Sequence, residues 1–506
     1  MSSSARSLAT AFALVTIVIL VPSVTGAPSD GTIRVRWSSG FASRSFEARG
    51  TVEFAEDDRD VKSISPGGYI RIEEGSWLRT VRSYEVRADS RGLLSRTYIV
   101  DGRRQTMDAD AQAWAAAAML TLIRETGVSA GLRVERLLRL GPAEVLREVS
   151  KIRSDGSKRI YLRELVERGR LTDEQFRDVT RSARTIGSDG DKTGLLIEVS
   201  RSYLRLNLRA SWFTALGEVG SDGDKRRGLE HAIRSDPGAE TLALSARLAA
   251  SIGSDSDKAA VLSAIAARGL AQEVRRPWFR AVQTIGSDGD KRQVLSTALA
   301  APGDDSDTLI AILRTAETIG SDGDKANLLV EAARSNMGVD AVQRAFFSAA
   351  NTIGSDGDRN AVLTSVLRTS NRPTSLLTGL AQSAQAIGSD GDKAAVLSLA
   401  AEFEMNNPAA RASFFTAVNT IGSDGDRAAV LSNVLRKPKL AIETAVAAID
   451  SATAMGSDGD KAAVLVIAAR HASDPAVRAS LESALKSVHS DGDYRRVSAA
   501  LLRLTN

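Results

Sequence analysis

The stretch TIGSDGDK, at Thr185–Lys192, decides the fold, because close variants of it return along most of the chain. The serine of this motif recurs every 33 or 34 residues, at positions 154, 188, 221, 254, 287, 321, 355, 389, 423, 457 and 490. A fixed period of this length is typical of repeat proteins, in which each unit is one supersecondary element that stacks on the next. The spacing therefore predicts a repeat array over residues 154–506.

Each repeat has the pattern of two antiparallel helices. Two, five and nine residues before the serine the chain is nearly always apolar, as at Ile353, Ala350 and Phe346, and that spacing lies on one helical face. A second apolar face follows the serine, and most prolines of the array fall between the two faces. One helical pair cannot bury its apolar stripe alone, so the pairs must stack. We expect a mainly α fold: an α-solenoid of about eleven two-helix repeats, similar to HEAT and TPR arrays, after a small antiparallel β-domain.

The chain before the array divides into three further regions. Residues 1–26 have the pattern of a signal peptide, because a lone Arg6 precedes an apolar run and small residues follow it. Residues 31–107 alternate apolar and polar side chains between turn sequences, which predicts the antiparallel β-domain. Residues 108–153 have a helical period and are interpreted as an N-terminal cap of the array. We expect a periplasmic or secreted protein, with an uncleaved N-terminal anchor as the alternative and no other transmembrane span.

The composition argues against several classes of function. The 66 basic residues nearly balance the 62 acidic ones and no long run of one sign occurs, which argues against a nucleic-acid partner. Cysteine is absent, which excludes thiol nucleophiles and disulfides. No H-E-x-x-H pair, G-x-S-x-G elbow or phosphate-binding glycine loop stands in a credible context. We therefore expect a protein that is not an enzyme and uses no cofactor.

The repeated loop is interpreted first as a corner between two helices. Its first glycine suits the left-handed residue that ends one helix, and its serine suits the N-cap of the next. The aspartate three residues later completes a capping box, and the aspartate next to the serine is favoured by the helix dipole. The Lys or Arg that follows can neutralise the stacked carboxylates. The predicted structural caps are Ser188, Ser221, Ser254, Ser287, Ser321, Ser355, Ser389, Ser423 and Ser457.

A calcium site is the alternative interpretation of the same loop. Its Ser-Asp-Gly-Asp core is similar to calcium loops, but an EF-hand needs a Glu at the twelfth position, where counting from Asp189 gives Ser200. A ladder of carboxylates shared by neighbouring loops is the form that such a site would take. Its predicted ligands are Asp189, Asp191, Asp222, Asp224, Asp288 and Asp290.

Two rows of side chains are candidate partner-binding residues. The first consists of the second members of aromatic pairs in every second repeat, which point about 100° away from their core-facing neighbours. These are Phe213, Phe279, Phe347 and Phe415. The second row is an arginine thirteen residues after the serine, where attraction to the helix dipole is the alternative explanation. These are Arg201, Arg234, Arg334, Arg368, Arg436, Arg470 and Arg503.

Three segments carry a resemblance to a known bacterial arrangement: SISPGGYIRIEE, LLSRTYIVDGRRQTMDADAQAWAAAAML and SKRIYLRELVERGRLTDEQF. They resemble the exported region that follows some antirepressor-type membrane metallopeptidases related to β-lactam sensors, most specifically between Arg49 and Leu196. The resemblance implies an envelope location and a sensing or interaction role. This sequence has neither the zinc-binding H-E-x-x-H nor the bundle of membrane helices of that family, so the protease activity is not carried over.

The sequence as a whole predicts an exported, non-enzymatic interaction scaffold or sensor module. A stack of helical repeats presents a surface that usually binds a protein or peptide, and here the partner would belong to the cell envelope. The alternative is a calcium-stabilised envelope or surface protein with Asp-lined loops.

Overall fold

The computed structural model of the protein describes residues 32–39, 42–76, 79–205, 207–301, 305–369 and 375–502. The predicted signal peptide and the candidate Arg503 lie outside these residues. By compactness the chain divides into two units, Met1–Ala232 and Ile233–Asn506, and the division falls within one helix. Among the described helices, none combines the length and the apolar character needed to cross a membrane.

The first unit begins with antiparallel strands. Their bounds are β1 Thr32–Ser39, β2 Ala42–Arg49, β3 Val52–Phe54, β4 Val61–Ile64, β5 Tyr69–Ser76, β6 Arg79–Ala88, β7 Leu94–Val100 and β8 Arg103–Gln105. Within the described residues, six of them form one sheet in the order β1-β2-β5-β6-β7-β8, and β3 pairs with β4. Phe46 lies opposite Ile72, which lies opposite Tyr84, and all three are buried. One face of the sheet therefore carries the apolar residues, as the alternating pattern predicts.

The buried face of the sheet packs against the first helix, α1 (Ala109–Thr126). Phe46 and Val86 of the sheet share one hydrophobic core with Met119 and Leu122 of the helix. The predicted boundary between the β-domain and the helical cap therefore crosses a shared core. Alternating strands and a helical period are visible in the sequence separately, but their packing against each other is not.

Helical hairpins complete the first unit. The bounds after α1 are α2 Ala130–Leu138, α3 Pro142–Val149, α4 Asp155–Arg168, α5 Asp173–Ala183, α6 Asp189–Glu198, α7 Ser200–Tyr203, α8 Arg209–Gly217 and α9 Asp222–Ser235. In each repeat we call the helix before the motif serine helix A and the helix after it helix B. The A helices α3, α5 and α8 contact one another in turn, and so do the B helices α4 and α6.

The second unit consists of further hairpins of the same kind. Their bounds are α10 Ala239–Ala249, α11 Asp255–Ala266, α12 Gln272–Val282, α13 Asp288–Ala300, α14 Ser306–Ala316, α15 Asp322–Ala332, α16 Asp340–Asn351, α17 Asp356–Leu367, α18 Leu376–Gln385, α19 Asp390–Ala400, α20 Pro408–Asn419, α21 Asp424–Leu435, α22 Ile442–Thr453, α23 Asp458–Ala468, α24 Pro475–Leu485 and α25 Asp491–Leu502. The even-numbered A helices contact one another in succession, as do the odd-numbered B helices. Phe346, Ile353 and Val362 are fully buried between these layers. The predicted α-solenoid of two-helix repeats is confirmed.

Candidate functional site

The motif serines begin the B helices. Before α19, the Oγ of Ser389 accepts a hydrogen bond from the backbone N–H of Asp392 at 3.3 Å, which pairs one of the donors that a helix N-terminus leaves open. All nine predicted caps make this contact with the aspartate three residues on, at 3.2–3.3 Å: Ser188, Ser221, Ser254, Ser287, Ser321, Ser355, Ser389, Ser423 and Ser457. The cap prediction is confirmed.

The aspartate directly after the serine holds the loop of the next repeat. The Oδ2 of Asp189 accepts hydrogen bonds from the backbone N–H groups of Gly220 at 3.1 Å and Ser221 at 2.8 Å. The equivalent carboxylates bind the same two positions of their following loops: Asp255, Asp288, Asp322, Asp356, Asp390, Asp424 and Asp458. Each of these contacts spans 31 to 33 residues of sequence, so the motif joins neighbouring repeats.

Two details of the predicted corner are wrong. In a capping box the aspartate three residues after the serine would accept a hydrogen bond from the serine N–H. Here that N–H donates to the aspartate of the preceding repeat, so the motif forms no capping box. A complete capping box forms at Thr172 and Gln175. The glycine before the serine is not left-handed, since no motif glycine in the described residues has a positive φ. Its absent side chain allows close approach, because a Cβ built on Gly187 would stand 3.2 Å from the Oδ2 of Asp155.

The basic residue that ends the motif also reaches the next repeat. Lys258 is 4% exposed, and its Nζ donates a hydrogen bond to the carbonyl of Thr284 at 2.8 Å. Lys393 donates to the carbonyl of Thr420 at 3.0 Å in the same way. These carbonyls lie just past the end of an A helix, where no intrahelical donor is available. We call the two contacts, from the first aspartate and from the terminal lysine, the inter-repeat clamp.

The clamp places opposite charges close together, as the sequence predicts. The Nζ of Lys258 lies 3.5 Å from the Oδ1 of Asp255 in its own loop. In a later loop, hydrogen bonds from the backbone N–H groups of Gly388 and Ser389 lower the pKa of Asp356 from its ordinary value, because they bind its charged form. In this loop the clamp therefore favours the ionised form of Asp356.

The carboxylates predicted as a calcium ladder do not come together as one. Among the residues that the structure describes, no three carboxylate or imidazole side chains are placed to hold a metal ion. Asp189 binds backbone N–H groups, Asp191 lies 3.4 Å from an amino group of Arg159, and Asp224 lies 3.0 Å from one of Arg227. The shared ladder was predicted from Asp189, Asp191, Asp222, Asp224, Asp288 and Asp290. Asp189 and Asp288 are already paired with backbone N–H groups of their following loops, and calcium binding by the ladder stays a prediction.

The predicted row of exposed aromatic anchors is wrong. Phe213, Phe347 and Phe415 are buried, at 5, 6 and 6% exposure, and Phe279 is half-buried. Each ring packs edge-on against the first member of its pair, with ring centroids 4.9–5.6 Å apart. The neighbouring A helix covers this face: a Cβ built on Gly379 of α18 would stand 2.5 Å from the ring of Phe347.

The predicted arginine row lies where B helices end. Its described members, which we call the edge arginines, are all exposed: Arg201, Arg234, Arg334, Arg368, Arg436 and Arg470. Arg368 and Arg436 are the residues at which α17 and α21 end, so the helix dipole favours their charge. A partner for this row stays a prediction.

A buried ionic network, which the sequence did not reveal, joins the β3–β4 hairpin to α1, α2 and α3. Asp58 pairs with Arg136 and, at 3.0 Å, with Arg133. Arg133 lies 2.9 Å from Glu148, which also pairs with Arg124 at 2.5 Å. Asp58, Arg133 and Glu148 are at most 8% exposed. The five residues come from four separate segments, so no local spacing could have grouped them.

Two histidines make hydrogen bonds within the fold. The Nε2 of His231 lies 2.7 Å from the Oγ of Ser200, a residue that is 2% exposed. The Nε2 of His471 lies 2.8 Å from the carbonyl oxygen of Leu435. A nucleophilic serine must reach a substrate, and the burial of Ser200 prevents this, so we interpret its pair as a packing contact.

Comparisons with known proteins give no family for the chain. No protein-family model matches it, and no curated protein matches it. A solved structure of the Chs5-Bch1 exomer cargo adaptor complex is similar over 92% of this chain and 85% of that chain, with 11% sequence identity and a TM-score of 0.15. A TM-score this low carries no argument about function.

Proposed function

We propose that the protein is an exported, non-enzymatic interaction scaffold or sensor module whose stacked repeats bind a protein or peptide of the cell envelope. The observation that carries this proposal is the inter-repeat clamp. In the loop before α19, Asp390 binds the N–H groups of Gly422 and Ser423, and Lys393 binds the carbonyl of Thr420. The charged residues of the motif, which could be taken for catalytic or metal-binding groups, thus connect neighbouring repeats.

A clamped array suits binding to a partner. Within each unit the clamp joins neighbouring repeats through backbone groups, so the backbone at equivalent positions is held in regular rows before a partner binds. A surface that is ordered before it binds loses less conformational entropy on association. The edge arginines are one such row, exposed and repeated along the B helices. Export is supported by the amino-terminal sequence pattern alone.

Crosslinking in an envelope extract tests the proposal. The tagged full chain would be compared with two surface variants and with an unrelated protein of similar charge. One variant carries Arg334→Ser, Arg368→Ser, Arg436→Ser and Arg470→Ser, and the other carries serine at exposed arginines of the A helices. Circular dichroism must show parent-like helicity for both variants. We expect one protein to be retained by the parent, to saturate on titration, and to be lost with one of the two variants.

Two results would contradict the scaffold. The first is that the parent retains nothing beyond what the unrelated basic protein retains. The second is that calcium raises the melting temperature by many degrees and a chelator reverses the rise, which would support the calcium-stabilised alternative. An unchanged melting temperature agrees with carboxylates that are already bound by backbone N–H groups.

A further inference from the structure

Exposed arginines gather on four consecutive A helices of the second unit. They lie on α10, α12, α14 and α16, and we call them the arginine band: Arg247, Arg276, Arg280, Arg314 and Arg344. None of the five makes a hydrogen bond or ion pair to another residue in the described part of the chain. Arg247, Arg280 and Arg314 stand seven residues before the motif serine of their repeats. At that position the A helices from α18 onward have Gln382, Thr416, Asp450 and Ser483. The band is therefore local.

The helix dipole does not account for the whole band. Arg276 is the fifth residue of α12 and Arg344 the fifth of α16, more than a turn before either helix ends. The dipole effect falls off within the last turn. Most acidic residues of these four helices stand in the first turns instead: Glu240, Glu273, Asp307 and Asp340. Arg247, Arg280 and Arg314 stand in the last turns, where the dipole favours a cation, and Arg276 and Arg344 add positive charge to the middle of α12 and α16.

A cleft between α14 and α16 brings two band members to one place. It has a volume of about 220 Å³ and is lined by Arg314, Arg344, Glu317 and Ser348, with two alanines. The Oγ of Ser348 donates a hydrogen bond to Glu317 at 2.7 Å, which ties the acidic group to the neighbouring helix. The guanidinium groups of Arg314 and Arg344 outweigh the one carboxylate of Glu317, so the cleft has a net positive charge that suits one incoming carboxylate, which arginine binds through two parallel hydrogen bonds.

We propose that the arginine band binds an extended acidic peptide whose carboxylates recur at about every third residue. Packed helices lie about 8–10 Å apart. A chain in the extended polyproline II conformation has three residues per turn and advances about 3.1 Å per residue, so every third side chain faces the same side about one A helix further on. Successive carboxylates would meet Arg247, Arg280 and Arg314 and then the cleft at Arg344. The inference rests on the proposed scaffold function and names the surface and chemistry of its partner.

Fluorescence anisotropy with two synthetic peptides tests the band. One peptide has Glu at every third residue among Ser and Gly, and the other has the same composition with its Glu residues contiguous. The full chain should bind the spaced peptide roughly tenfold more tightly than the contiguous one, because only the spaced one matches the helices. Added salt should weaken this binding, since the screening length at 0.1 M salt is about 10 Å.

Matched variants locate the binding surface. Arg280→Ser, Arg314→Ser and Arg344→Ser together should weaken the spaced peptide roughly tenfold or more, whereas serine at three edge arginines (Arg334, Arg368 and Arg436) should leave its affinity unchanged. Parent-like helicity of both variants excludes unfolding as the cause. Equal affinity for the two peptides, or parent affinity in the band variant, would overturn the proposal. A partner captured from the extract that depends on the edge arginines alone would keep the scaffold function and overturn this inference.

Discussion

The ionic network at Asp58 and the inter-repeat clamp use similar polar groups in opposite ways. In the network five charged side chains from four segments meet once, and Asp58, Arg133 and Glu148 are buried there. In the clamp one aspartate and one lysine recur with the repeat, and each contact reaches only the neighbouring loop. Removing one partner of the network leaves a buried charge uncompensated, whereas a broken clamp affects two repeats of an array.

The largest effect is expected at the network. Glu148→Ala leaves Arg124 and Arg133 without their shared carboxylate, and loss of one partner of a buried pair costs about 3–5 kcal/mol. Urea unfolding followed by circular dichroism would measure the loss. Glu144→Ala is the control, because its partner Arg147 is exposed, and it should cost less than about 1 kcal/mol. Equal losses of unfolding free energy in the two variants would show that the buried network stabilises the fold no more than an exposed ion pair does.

The aromatic pairs sharpen the comparison within the array. Phe347→Ala removes a ring that is 6% exposed and packs on α18, and we expect a loss of about 3 kcal/mol in the free energy of unfolding. Phe279→Ala removes the half-buried ring and should cost clearly less. Urea unfolding of both variants measures the difference. If Phe347→Ala were as mild as Phe279→Ala, the ring would be exposed and the original prediction of an anchor row would be restored.

The lysine of the clamp should contribute less to the free energy of unfolding than a buried aromatic ring does. Lys393→Met keeps an apolar stem but removes the donor to the carbonyl of Thr420, and a hydrogen bond that involves a charged group is worth about 1.5–3 kcal/mol. Lys393→Arg is the control, because arginine stands at this position in other repeats, as at Arg359, where it reaches the carbonyl of Ala386 at 2.5 Å. Thermal melts should rank Lys393→Met below Lys393→Arg. The reverse order would contradict a role for the carbonyl contact.

Acid should weaken the clamp at the loops that carry Asp356 and Asp390. The N–H groups of Gly422 and Ser423 lower the pKa of Asp390, so the folded state binds a proton less readily than the unfolded chain. The stabilisation is fully present above the ordinary aspartate pKa of about 4 and is lost as the pH falls through the lower folded value. The melting temperature should therefore fall with pH below about 4, and less steeply in a variant with Asp356→Asn and Asp390→Asn. An equally steep fall in that variant would contradict the assignment.

The sequence predicted what depends on spacing along one chain segment. The hairpins follow from residues such as Ile353 and Phe346 at helical intervals, and the caps follow from a serine placed before an aspartate-rich first turn. Both are local properties, and both were confirmed. The alternating strands of the β-region belong to the same class.

The contacts between repeats were beyond reach of that reasoning. The carboxylate of Asp189 is favourable for its own helix, and nothing in its neighbourhood shows that it binds the N–H of Ser221 in the next loop. The glycine was assigned to a left-handed turn because that is its common use at helix ends, whereas here it leaves space for a carboxylate. Phe347 was predicted to be exposed because the spacing within one helix does not show which other helices pack against it. In the structure α18 packs against this ring.

Hydrogen–deuterium exchange on an Asp390→Ala variant tests the central claim most directly. If the first aspartate holds the following repeat, the amide hydrogens of Gly422 and Ser423 should exchange faster, 32 and 33 residues after the substitution. The control is Asp392→Ala, whose backbone N–H still caps the helix through Ser389, and it should leave those two amides protected. Faster exchange confined to the loop that carries Asp390, with Gly422 and Ser423 unchanged, would contradict the inter-repeat clamp.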